Sequence, residues 1–159
     1  MWRRAFVVVL MFCLGCHKQP SRSPNQLLMV HGNGFDGVIF PAEQKMFGFG
    51  FKSESQSWTP SASDIALAEQ ALPAYLQQLG TQDPPAQLIL KQLSSYKRQY
   101  AGVVTNGQKE VFMSLFCHTD GIDWAQNEVI VMDGGTCFFQ VYFSVTGKTF
   151  SRFTVNGRG

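Results

Sequence analysis

The spacing of apolar residues changes partway along this chain, from a helical period to a period of two. Between residues 59 and 79, Ile65, Ala68, Leu72, Tyr75, Leu76 and Leu79 recur at helical spacing and predict one amphipathic helix. Thr59-Pro60 and the Ser61-x-x-Asp64 pattern of a capping box mark its start, and Gly80 suits its end. Pro73 has no N–H to give the carbonyl four residues back, so a kink or split is expected near Glu69. Asp83-Pro84-Pro85 then reads as a loop opening a short helical turn through residue 90.

From residue 96 the alternation is strand-like, with Tyr96, Arg98, Tyr100 and Gly102 on one face. Asn106-Gly107 is a two-residue hairpin signal, and the return strand 110–117 places Val111, Met113, Leu115 and Cys117 together. Residues 118–126 are a polar loop, 127–132 are predicted as another strand, and Asp133-Gly134-Gly135 turns it. Strand 136–145 carries Cys137, Phe139, Val141, Phe143 and Val145 on one face. Residues 146–148 turn again, and 149–155 form the last strand. Upstream of the helix, residues 27–52 are apolar and dotted with glycine. They predict short strands at 38–40 and 46–51, the second alternating Phe47, Phe49 and Phe51 with glycines. The expected fold is α+β: one main N-terminal helix packed on a four- to five-stranded antiparallel meander. By analogy of architecture it resembles a cystatin-like or nuclear-transport-factor-like roll.

The first sixteen residues follow a different pattern. Met1-Trp2-Arg3-Arg4 is basic, residues 5–14 carry no charged or strongly polar side chain, and Gly15-Cys16 follows at once. That order is the physical layout of an export signal, and its apolar run is too short to span about 30 Å of hydrocarbon. Ending on cysteine, it resembles a bacterial lipoprotein signal peptide, although Cys13 and Leu14 depart from the usual leucine and small residue ahead of Gly15. The resemblance implies a signal peptide at 1–15, lipidation of Cys16 by palmitate-like acyl chains, and attachment to the bacterial cell envelope. His17, in place of an aspartate that would retain the protein at the inner membrane, implies the outer membrane. Residues 16–26 are then the lipidated N-terminus and a Pro/Ser-rich tether, and 27–159 a single domain. Two segments, 96–100 and 133–139, also resemble parts of small bacterial envelope proteins to which no activity attaches.

Loss of residues 1–15 removes Arg3 and Arg4 and no acid. Lys+Arg falls from 13 to 11 against 11 Asp+Glu, and the net charge from +2 to zero. Nucleic acid is therefore not an expected partner. The expected partners are the membrane, through the lipid, and an envelope protein or a small apolar ligand. Charged residues make up only 15% of the chain, and its 14 Phe suit a dense core or an apolar contact surface.

Cys117 and Cys137 are a candidate disulfide. An oxidising envelope favours pairing them. A plain meander with a strand at 127–132 opposes it, because the two would sit at opposite ends of the sheet, beyond the ~7 Å Cα limit of a bridge. Both outcomes stay open on sequence.

Candidate chemistry is sparse. His118 with Asp120 and Asp123 could act as acid and base or as metal ligands at the open end of the sheet. Cys117 points to the opposite strand face from His118, and turn residues account for the acids. Tyr96, Arg98, Tyr100 and Trp124 are a candidate ligand platform, with cross-strand packing as the alternative. Residues 32–36, Gly-Asn-Gly-Phe-Asp, resemble a stretch in a cytoplasmic phage-defence family. No helix follows them to cradle a phosphate, so a glycine loop after a short strand is the better account. No cofactor or resident metal is expected. The chain reads as a non-enzymatic binding or interaction module, the alternative being a small extracytoplasmic enzyme built on His118, Asp120 and Asp123.

Overall fold

The computed structural model describes residues 27–44 and 56–157. The predicted signal, Cys16, the tether and the strand at 46–51 lie outside them. The fold is α+β, with two α-helices and a seven-stranded mixed sheet among the described residues. Strands β1 (Leu28–Gly32) and β2 (Phe35–Ile39) form an N-terminal hairpin, and β3 (Gln56–Trp58) is a short edge piece. Helices α1 (Ala62–Leu79) and α2 (Pro84–Lys91) follow. The rest is β4 (Lys97–Thr105), β5 (Gln108–Phe116), β6 (Phe138–Ser144) and β7 (Thr149–Val155). The sheet order is β1-β2-β4-β5-β6-β7, with β3 beside the far end of β4.

The expected meander is present as β4 to β7, all antiparallel. The expectation of four or five strands is corrected by the hairpin and β3, and the helix is not the first element. The chain leaves β2, makes β3 and both helices, and returns as β4 parallel to β2. A parallel pair needs such a crossover, and here the helices supply it. Sequence reasoning missed the first hairpin although Asn33-Gly34 is the same dipeptide that was read correctly at Asn106-Gly107. In the second turn both residues have positive φ, 51° and 75°, as the twist of a two-residue hairpin demands.

Helix α1 begins as read. The Ser61 hydroxyl accepts from the Asp64 N–H, and the Asp64 carboxylate accepts from the Ser61 N–H at 2.9 Å. The helix runs unbroken through Pro73. Ile65, Ala68, Leu72 and Leu76 are buried against Tyr96, Tyr100, Met113, Leu115, Phe139 and Val141 of the sheet. Tyr75 stacks on Phe150 at 4.8 Å and meets Phe153 edge-on. Replacing Leu72 or Leu76 by alanine would cost about 2–5 kcal/mol at such sites.

The predicted strand at 127–132 does not form. The loop from 118 to 134 instead covers the opposite face of the sheet, where Val129 and Val131 pack with Phe116 and Phe138. Short turns and side chains, not a strand, hold its backbone. The fully buried Gln99 amide donates to the Trp124 and Asn127 carbonyls at 2.7 Å each and accepts from the Val129 N–H at 2.9 Å. Asn156 Nδ2 donates to the carbonyls of Val131 and Asp133.

With no strand at 127–132, β5 and β6 pair directly and end on Phe116 opposite Phe138. The next residues are Cys117 and Cys137. Their Cα atoms are 5.0 Å apart and they form a disulfide. The topological objection to this bridge is overturned by the missing strand.

Candidate functional site

A cleft of about 720 Å³ opens where the tip of the first hairpin faces α1 and the end of α2. Phe35, Ala66, Pro73, Leu90 and Leu93 supply apolar wall. Asn33, Gln70, Lys91 and Ser94 supply polar rim, and Glu69 and Arg98 lie at its inner side. The volume falls within the ~300–1,000 Å³ of ordinary small-molecule sites.

Each inner residue is placed by an apolar pattern it violates. Glu69 sits four residues after Ile65 and three before Leu72, on the helix stripe that enters the core. Arg98 sits between Tyr96 and Tyr100 on the strand face that the helix covers. Their side chains are only 6% and 2% exposed. Arg98 Nε lies 3.2 Å from each Glu69 oxygen, and the Tyr100 hydroxyl donates to Glu69 Oε1 at 2.8 Å. The Arg98 guanidinium also donates to the carbonyls of Tyr96 and Leu93 and lies 5.4 Å from the Phe35 ring centre. Gly37, the partner of Arg98 on β2, leaves the room this packing needs: a Cβ there would meet Tyr100 Cε2 at 2.4 Å.

Burial raises the Glu69 pKa above the ordinary carboxylate value, against the pull of Arg98 and the Tyr100 hydrogen bond. Tyr100 is pushed well above the usual phenol value, first by burial and then by the Glu69 charge. Pro73 adds a backbone feature, since it cannot donate to the Glu69 carbonyl one turn earlier. Outside the cleft, Asp36 accepts from Lys97 Nζ at 2.6 Å and faces His31 Nδ1 at 2.8 Å. These hydrogen bonds, that from Lys97 first, hold its carboxyl down at about 2.

The structure separates the residues of the sequence-derived platform. Tyr96 and Tyr100 are buried beneath α1, and the Tyr96 hydroxyl donates to the Thr136 carbonyl. Trp124 lies on the other face, edge-on to Phe116 and 5.6 Å from Lys97 Nζ. Arg98 alone of the four reaches the cleft. His118 and Asp120 are close, 3.5 Å between Nε2 and Oδ2, but stand 66% and 87% exposed on the 118–134 loop. Asp123 makes a turn there, its carbonyl accepting from the N–H groups of Gln126 and Asn127. None of the three lines the cleft. Among the described residues, no group of three His, Cys, Asp or Glu is placed to hold a metal ion. No helix there is long and apolar enough to cross a membrane.

Sequence reasoning missed Glu69 as a site residue. The signal was available: an acid on an apolar helix stripe and a base on an apolar strand face each need a partner, and each is the other's.

No protein-family model, curated protein or solved structure matches this chain.

Proposed function

We propose that this chain is a lipid-anchored protein of the bacterial cell envelope, held through Cys16 at the outer membrane. Its domain binds a ligand in the cleft between the first hairpin and the helices. The binding is non-enzymatic. The observation that carries the reading is the cleft: a concave, largely apolar recess beside a rigid buried ion pair. Its acid, Glu69, is already engaged by Arg98 and Tyr100, an arrangement that fixes a surface and suits binding better than proton transfer. The Cys117–Cys137 disulfide supports export, because such bridges persist in oxidising compartments. The packing of α1 on β4 to β7 supports the reading of this part as a roll, cystatin-like or nuclear-transport-factor-like in outline. The helix fills that face of the sheet, which leaves the recess at the hairpin edge as the place for a ligand.

The test is native mass spectrometry of the chain isolated from envelope membranes, beside an Ala66→Trp variant. Ala66 is exposed and lines the cleft, so its indole fills the recess without entering the core. A small molecule that leaves the native protein on denaturation and is missing from the variant is the expected result. Identical spectra for both proteins, or an N-terminus that still begins at Met1 without fatty acid, would count against the reading.

A further inference from the structure

We infer that the cleft takes an amphiphile with one apolar chain and one monoanionic headgroup, of the fatty-carboxylate type; this rests on the cleft being a binding site. Phe35, Leu90 and Leu93 give the recess walls that favour an aliphatic tail. Three charged residues line it, Lys91, Arg98 and Glu69, beside His31, whose Nδ1 is engaged with Asp36 Oδ1 at 2.8 Å. Glu69 is closed to a cationic ligand, because both its oxygens face Arg98 Nε at 3.2 Å and one also accepts from Tyr100.

Lys91 is exposed in the last turn of α2 and stands over the recess as a cation. Among the described residues, Arg98 spends one N–H each from Nε, Nη1 and Nη2 on Glu69, Tyr96 and Leu93, and its side chain is only 2% exposed. With the Arg98 and Glu69 charges paired, Lys91 leaves the recess one positive charge in excess. One excess charge suits a carboxylate better than a phosphate dianion. The nearby N-terminus of α1, which could otherwise receive a phosphate, is closed by its own Ser61–Asp64 capping box.

The experiment is titration calorimetry of the full-length chain in nanodiscs with sodium octanoate, 1-octanol and octylammonium chloride. The Ala66→Trp protein serves as the blank that removes partition into lipid. Octanoate should give binding that Ala66→Trp abolishes, that Lys91→Ala weakens about tenfold, and that Lys91→Arg retains. Octanol should bind more weakly and octylammonium should not bind. If octanol or octylammonium binds as tightly as octanoate, or if Lys91→Ala has no effect, the headgroup assignment fails while the cleft survives as a site. If no compound binds in a manner sensitive to Ala66→Trp, the assignment of the cleft fails with it.

Discussion

Arg98 Nε sits 3.2 Å from each carboxylate oxygen of Glu69, so one strand residue and one helix residue tie the two layers together inside the core. The pair is buried, and removal of one charge leaves the other desolvated and alone. Arg98→Met should therefore cost about 3–5 kcal/mol. The double variant Glu69→Leu/Arg98→Met should recover much of that loss. It should stay below the native protein, because the Leu93 and Tyr96 carbonyls lose their donor and the Tyr100 hydroxyl its acceptor. Urea midpoints of the three proteins decide it; a double variant no better than the single would refute the pairing argument.

The same site sets a pH dependence. Glu69 has a folded pKa above its unfolded value, so between those two values the native state holds more protons than the unfolded chain. Stability then falls as pH rises through that window, starting just above the ordinary value of 4.5. Asp36 acts in the opposite direction: its folded value of about 2 lies below 3.8, so its contribution is present above 3.8 and lost as pH falls toward 2. Urea unfolding of the native chain and Glu69→Gln from pH 4 to 7 separates the two effects. The falling slope should disappear in Glu69→Gln, and a slope unchanged by that substitution would sink the assignment.

Much of the fold is written locally. The capping box at Ser61, the stripe from Ile65 to Leu76, the Asn106-Gly107 turn and the strand Thr149–Val155 need only nearest neighbours to be read. What failed needed partners distant in sequence. Val129 and Val131 alternate like strand residues, yet their backbone is satisfied by Gln99, thirty residues earlier, and by Asn156. That error placed a strand between β5 and β6 and moved Cys117 away from Cys137. The cleft was missed for a related reason: Glu69 and Arg98 each look misplaced until the helix is laid on the sheet.

The disulfide closes a separation of 20 residues at the end of the β5–β6 pair. On the chain-entropy account a bridge of that span contributes about 3 kcal/mol, chiefly by restricting the unfolded state. Cys117→Ser/Cys137→Ser should lower the urea midpoint accordingly while the sheet persists, because the Cys117 N–H still bonds the Cys137 carbonyl at 3.0 Å. A midpoint unchanged by the double substitution would mean that the closed loop adds nothing to stability.

Gly37 tests how tightly the ion pair is framed. A methyl group there would come within 2.4 Å of Tyr100 Cε2 and 3.1 Å of the Arg98 carbonyl oxygen. The ring must yield, and the hydroxyl moves off Glu69. Gly37→Ala should cost about 1–3 kcal/mol, the range of overpacked cores. In a Tyr100→Phe background the hydroxyl is already gone, so the same change should cost less. Equal costs in the two backgrounds would show that the ring moves without disturbing the carboxylate.

Gln99 is the most economical place to separate the loop from the sheet it covers. Its side chain is fully buried and makes three hydrogen bonds, all to backbone groups of the 118–134 loop. Gln99→Leu keeps the apolar bulk but strands the Val129 N–H and the carbonyls of Trp124 and Asn127. The loss should be about 2–4 kcal/mol if each bond is worth roughly 1 kcal/mol net and Val129 stays buried. The cost should also be local. The loop has no strand ladder of its own, whereas β4 and β5 share nine paired positions and do not depend on this amide. Hydrogen exchange should therefore quicken at Val129 and its loop neighbours while β4 and β5 amides stay protected. The disulfide anchors only the ends of this loop, so it should not mask the effect. Exchange that quickens equally in the loop and in β4 would mean that the loop and sheet unfold as one unit, and that Gln99 belongs to the core of both.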